Sequence, residues 1–129
     1  MKSNLNVVNK KKKEELIQKF KQKYIDVSLL SKRILLWNAL KVEVETELCR
    51  FEELSKFKIE ETRYLYLYDD RNDVLYKLKY SEILDFIYNR EPWEYFDGLI
   101  FDEELDWFIA LTHEDLALIY GEIPVVARQ

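Results

Sequence analysis

The sequence predicts an α+β fold: N-terminal helices, then a mainly antiparallel sheet of about five strands with one inserted helix, in the order β-β-α-β-β-β. Three observations carry that reading. Between residues 16 and 54 the apolar side chains recur at steps of three and four, the helical period. From residue 62 onward the chain breaks into short runs rich in Tyr, Leu, Ile and Val, punctuated by Asp, Asn, Gly and Pro. A single helical stripe, Ile83, Leu84, Ile87 and Tyr88, interrupts those runs. The whole of 1–129 reads as a single α+β domain, because 129 residues with 48% hydrophobic content suit one core and no linker is visible. Residues 1–9 are expected to be flexible and 122–129 a short tail.

The elements follow in order. Leu16, Ile17, Phe20 and Tyr24 line one face of a first helix, with Asn9 as its N-cap. Four lysines at 10–13 sit at the positive end of the helix dipole, so its first turn is expected to fray. Asp26 or Ser28 is placed to cap a second helix. Leu30, Ile34, Trp37, Leu40, Val44, Leu48, Phe51 and Leu54 then continue the helical spacing. Within it, residues 42–48 alternate apolar or β-branched side chains with charged ones, which would make that piece a strand; the longer period favours a helix, broken near Lys41.

Tyr64, Tyr66 and Tyr68 share one face of a strand and Leu65 and Leu67 the other, so both faces are apolar and the strand is expected inside the sheet. A polar five-residue loop at 69–73 joins it to a strand at 74–80 as a hairpin. Ser81 is placed to cap the inserted helix, which Asn89 and Pro92 end. Residues 95–101 read as a strand with a bulge at Gly98. Strands at 106–112 and 116–120 meet across His113, Glu114 and Asp115, and Trp107 and Phe108 are both assigned to the core. The helices are expected on one face of the sheet.

Charge is unevenly placed. Residues 1–65 carry 15 Lys and Arg against 10 Asp and Glu, and residues 66–129 carry 5 against 15. The halves therefore stand at +5 and −10 and account for the net −5. Residues 91–122 hold ten carboxylates and no Lys or Arg. Such a segment repels phosphate backbones and attracts basic partners. No nucleic-acid partner is expected, and a nuclease site lacks the cations that phosphoryl transfer needs. No apolar run reaches the ~20 residues of a membrane span, so no membrane association is expected. No apolar stretch follows the basic start as in a secretory signal, and the lone Cys49 suits a reducing compartment, so the expected location is cytoplasmic.

Chemistry-bearing motifs are few. Two glycines in the whole chain exclude a glycine-rich phosphate cradle. Cys49 reads as a small structural hydrophobe rather than a nucleophile. His113, flanked by Glu114 and Asp115, is the one histidine; it suits a polar turn, a partner contact or a metal or general-base site fed by Asp97, Asp102 and Asp106. Glu91-Pro92-Trp93-Glu94-Tyr95-Phe96-Asp97 alternates carboxylates with large aromatics on a loop, the composition of an interface that takes a basic partner or of a core plug.

Residues 64–121 resemble the layout of small, mostly uncharacterised bacterial α+β proteins, some of them encoded as immunity proteins in polymorphic toxin loci. The shared pattern is an aromatic strand, a hairpin, a short helix and a terminal strand pair. Its local carrier is Asp106-Trp107-Phe108-Ile109-Ala110-Leu111-Thr112-His113-Glu114-Asp115, followed by an apolar strand and Gly121. The resemblance implies a small cytoplasmic protein without catalysis that presents carboxylates and aromatics to a basic site.

The expectation is therefore a non-enzymatic, acidic, immunity-like protein that occludes a basic protein partner such as a toxin domain. Its partner-binding residues would be Trp93, Glu94, Asp97, Asp102, Glu103, Glu104, His113, Glu114 and Asp115, with no catalytic residue, metal or cofactor. Asp102, Glu103 and Glu104 are taken as a surface turn whose charge reversal leaves the fold intact. Two alternatives stand beside it: a small metal-binding protein or hydrolase centred on His113, and a structural or oligomerising protein.

Overall fold

The computed structural model describes residues 6–30, 35–91 and 93–125. Six strands form one antiparallel sheet: β1 Glu47–Arg50, β2 Tyr64–Asp69, β3 Val74–Lys79, β4 Gly98–Phe101, β5 Phe108–Leu111 and β6 Leu116–Tyr120, in the order β1-β6-β5-β4-β2-β3. Helix α1 spans Lys10–Tyr24 and α2 spans Tyr80–Tyr88. The α+β class holds, with six strands rather than about five.

The helices do not share one face of the sheet. Leu65 and Leu67 of β2 join Ile100, Ile109 and Leu111 in a core closed by Ile83 and Ile87 of α2 and by Phe51 and Leu54. The alternate positions Tyr66 and Tyr68 join Leu99, Phe101 and Phe108 in a second core closed by Leu16, Ile17, Phe20 and Tyr24 of α1. The sheet is thus covered on both sides, which is why β2 is apolar on both faces, and it does lie between β4 and β3. Beneath α1 the rings of Phe20, Tyr24, Phe108 and Tyr120 pack at centroid distances of 4.8 to 5.3 Å, within the range that favours aromatic pairs. Trp107 and Phe108, adjacent in sequence, enter opposite cores.

Asn9 caps α1 by accepting the Lys12 N–H at 2.8 Å. Lys12 and Lys13 also find partners across the fold, Glu103 and Asp73, which offsets their poor placement at the helix start. Residues 6–8, expected to be loose, pair with the edge strand β3: Val8 N–H donates to Leu75 at 2.8 Å and Lys77 N–H to Asn6 at 2.9 Å. That pairing covers an otherwise open sheet edge. Among the described residues no helix is long and apolar enough to cross a membrane.

The long second helix does not form. Asp26 caps only a single 3-10 turn, Val27–Leu29, a second turn spans Leu36–Asn38, and Phe51–Lys56 is a third after β1. Ile34 lies outside the described residues. The 3-4 spacing failed because its members serve both cores: Trp37, Leu40 and Val44 pack against the core that α1 closes, whereas Phe51 and Leu54 lie across the sheet with α2. Val42 is 95% exposed and Leu48 63% exposed. A strand does form here, as the alternation suggested, but at Glu47–Arg50 rather than 42–48.

Smaller departures have local causes. Asp69 pairs with Val74, so the hairpin loop holds residues 70–73 only. Helix α2 begins two residues earlier than expected, and Glu82, not Ser81, serves its start by accepting the Lys79 N–H at 2.8 Å. Pro92 lies outside the described residues. Gly98 marks close approach rather than a bulge: it pairs in register with Asp69 and Leu111, and a Cβ there would stand 2.2 Å from the Tyr68 carbonyl oxygen. Gly98→Ala is therefore expected to cost about 1–3 kcal/mol, as overpacking typically does, and chemical denaturation measures it directly. A loss below about 0.5 kcal/mol would show that β2 and β4 separate freely at this point.

Candidate functional site

Strand β4 divides the predicted site in two. Asp97 precedes it and Asp102 follows it, about 17 Å apart along extended chain at ~3.4 Å per residue. Because β5 runs antiparallel to β4, the 112–115 turn joins Asp97 at one end of the sheet, and Trp107 joins Asp102 at the other. The acidic segment that looks continuous in sequence is two separate places.

At the Asp102 end the carboxylates are paired within the fold. Asp102 is buried and accepts from Arg63 Nη2 at 2.7 Å, Trp107 Nε1 at 3.0 Å and the backbone N–H groups of Glu104 and Leu105. Asp102 is therefore internal, not part of a freely reversible surface turn. Glu103 accepts from Lys12 and from the Tyr66 hydroxyl at 2.9 Å. The Lys12 bond holds the Glu103 carboxyl below its ordinary range, while burial and that same carboxylate push the Tyr66 phenol up to about 12. Asp106 pairs with Lys23. Lysines of the basic half thus meet carboxylates of the acidic half inside one molecule. Glu104 is exposed and pairs with no Lys or Arg among the described residues.

At the other end Asp97, 0% exposed, gathers four segments. It accepts from Trp37 Nε1 at 2.8 Å, Arg71 Nε at 2.5 Å, and both the backbone N–H and ring Nδ1 of His113 at 2.9 Å. Burial alone would raise its pKa, but the hydrogen bonds from Arg71, His113 and Trp37 outweigh it and hold the carboxyl below its usual range. An ionised carboxylate only accepts, so His113 donates through Nδ1 and its Nε2 is left as the free ring nitrogen. Neighbouring Asp70 goes the other way: burial pushes its carboxyl up despite a 2.7 Å bond from the Leu36 N–H, and the Asp97 charge adds to the rise.

Outside this hub lies an exposed rim. Trp93 is 72% and Tyr95 65% exposed. Arg90 fixes the loop that carries them, donating to the carbonyls of Ile87 and Glu94 and to Asp115 Oδ1 at 3.0 Å, with its guanidinium 5.5 Å from the Phe51 ring. Glu94 closes the turn by accepting the Glu91 N–H at 2.8 Å. The rim borders a cleft of about 280 Å3 lined by Phe51, Tyr88, Arg90, Glu94, Tyr95 and His113, among others. The ring centroid of Tyr95 stands 6.2 Å from that of His113, and the centroid of Trp37 stands 6.0 Å from it.

Of the nine expected residues, Trp93, Glu94, His113, Glu114 and Asp115 therefore gather at one end. Asp97 lies inside that end as its support, and Asp102, Glu103 and Glu104 lie at the far end. Sequence reasoning missed Trp37, Arg71 and Arg90, which organise the site, and passed over Tyr95. The basic residue just before the aromatic loop was the available signal for Arg90. Cys49 lines a different groove with Glu53 and Phe57, and its thiol is pushed up by burial and then by Glu53, the direction that disfavours a nucleophilic thiolate. No three His, Cys, Asp or Glu side chains among the described residues are grouped to hold a metal ion.

The chain matches no family model, no curated protein and no solved structure. The fold and site define an α+β protein whose sheet, covered on both faces, presents an aromatic and acidic rim at one end.

Proposed function

We propose that this chain is a non-enzymatic, immunity-like binding protein that occludes a basic protein partner, such as a toxin domain, with the Trp93 end of its sheet. One observation supports this above the others. Trp93 and Tyr95 stand exposed beside Glu91, Glu94 and Glu114, which no Lys or Arg among the described residues pairs with. Large rigid aromatics contribute most of their binding energy when a partner desolvates them, and surrounding carboxylates steer a basic surface onto them. The carboxylates at the Asp102 end have a weaker claim, because most are already paired within the fold.

The His113–Asp97 pair favours a second reading, a small hydrolase or metal-binding protein. A buried carboxylate that fixes one ring nitrogen and leaves the other free is the arrangement of a general base. Against it, no three His, Cys, Asp or Glu side chains among the described residues are grouped as metal ligands.

Affinity capture from the native host tests the first reading against the second. The tagged protein is expected to retain one stoichiometric basic protein in moderate salt. Trp93→Ala, and separately the reversal of Glu91 and Glu114 to lysine, is expected to abolish retention with an unchanged melting temperature. His113→Ala should leave retention within a few-fold. Equal retention by all variants, or no retained protein, would defeat the reading.

A further inference from the structure

The far edge of the sheet, away from the Trp93 rim, carries a second docking feature. Hydrogen-bonding direction along β1 follows from its neighbours. Phe51 N–H donates toward β6, to the Asp115 carbonyl at 3.1 Å, whereas Arg50 N–H turns outward to the Glu53 carboxylate at 2.9 Å. Successive residues of a strand face alternate sides of the ladder, so Leu48 also directs its N–H and C=O outward. No described residue pairs with this edge of β1. The opposite edge of the sheet is covered by residues 6–8, so among the described residues β1 is where the ladder remains open.

The surroundings of that edge select an occupant. Leu48 is 63% exposed at its centre. Glu43, Glu45 and Glu47 precede it at alternate positions and are all exposed. Beside the edge lies a groove of about 860 Å3 whose apolar lining includes Phe57, Ile119 and Ile123, with Glu53 and Glu122 at its margin and Lys56 as its one cation. A second copy of β1 would bring a like-charged strand to this line of carboxylates. A strand of opposite charge would place cations beside Glu45 and Glu47 on one face and apolar side chains beside Leu48 on the other. Main-chain pairing would supply affinity and the alternate side chains specificity.

We propose that the free edge of β1 accepts an extended basic segment of a protein partner, alternating basic and apolar residues, as an additional strand. This is independent of the reading of the Trp93 rim, since the edge and the rim share none of the residues that the two tests alter.

The probe is a short, end-blocked peptide alternating lysine and valine, with a control of equal charge in which the central valine is proline. Amide hydrogen exchange at Leu48 is the direct readout, because its N–H has no partner among the described residues. The alternating peptide is expected to bind and to slow exchange at Leu48 at least tenfold. The proline control should bind at least tenfold more weakly, since it cannot complete the ladder. Glu45→Lys with Glu47→Lys should weaken the alternating peptide at least tenfold, and Trp93→Ala should leave it unchanged. The proposal is overturned if neither peptide binds or if both bind equally. Unchanged Leu48 exchange in the complex, or binding lost in Trp93→Ala, would also overturn it. Leu48 protection that grows with protein concentration in the absence of peptide would make a second copy the occupant and likewise defeat it.

Discussion

Replacing Asp97 with alanine is expected to destabilise the fold by about 3–5 kcal/mol, the range for removing one partner of a buried, hydrogen-bonded charge pair. The reason is what the carboxylate holds. It is wholly buried and ties the 3-10 turn at Leu36–Asn38, the hairpin loop after β2, the start of β4 and the β5–β6 turn. Without it the Trp37 indole N–H and the His113 backbone N–H lose their acceptor, and an unmet buried donor costs about 1–3 kcal/mol. Arg71 is partly exposed and recovers water, so its share is the smallest. Asp97→Asn retains an acceptor while removing the charge and should fall between wild type and alanine. Urea unfolding with the tryptophans as reporters gives the three values. An alanine variant within about 0.5 kcal/mol of wild type would show that the four segments hold without their common acceptor.

The same residue gives the acid limb of stability a direction. The Asp97 carboxyl is held below its unfolded value, so the stabilisation it contributes is fully present above the ordinary carboxylate range. It is lost as pH falls through the lowered folded pKa. Glu103 and Asp73 are shifted the same way and steepen that loss, whereas Asp70, raised by burial, opposes it because its protonation favours the folded state. Removing Asp97 should therefore flatten the fall in stability between about pH 5 and the onset of acid unfolding.

How much of this was readable in the chain depends on the kind of signal. Strands β2 to β6 follow from short apolar runs, alternating in β2 and β3, because each is short and its turns carry Asp, Asn or Gly. Helix α1 follows from four apolar residues on one face and an Asn that caps it. The segment from Leu30 to Leu54 misled because a 3-4 spacing says which residues are apolar, not which core each enters. Leu40 and Leu54 lie on opposite sides of a sheet that a one-dimensional period does not contain. The site misled for a related reason. Asp97 and Asp102 look like two more charges in an acidic run, but each is buried against an indole N–H and an arginine. Those partners, Trp37 with Arg71 and Trp107 with Arg63, come mostly from distant parts of the chain.

The distinction between a buried carboxylate and a solvated one is sharpest at Asp102 and Glu104, two residues apart. Asp102→Lys is expected to cost at least about 3–5 kcal/mol, while Glu104→Lys should stay within about 0.5 kcal/mol of wild type. Asp102 holds the turn through Arg63, Trp107 and two backbone N–H groups, and it does so beside a strained residue. Leu105 is buried with φ of +58°, a left-handed conformation that costs a non-glycine residue roughly 1–2 kcal/mol. Its carbonyl in that pose accepts from Tyr24 Oη at 2.5 Å and Lys23 Nζ at 2.8 Å, so the turn anchors the end of α1. A lysine at 102 would bury an ammonium against Arg63, release Leu105 and loosen α1 with it. Glu104 faces solvent and anchors nothing among the described residues. Paired denaturation curves decide the matter, with α1 helicity followed by far-ultraviolet circular dichroism. Similar costs for the two reversals would mean that the turn is held by its backbone alone. The contrast also governs partner capture. Loss of binding on reversing Asp102 would report an unfolded turn, whereas loss on reversing Glu104 would report a contact at the far end of the sheet.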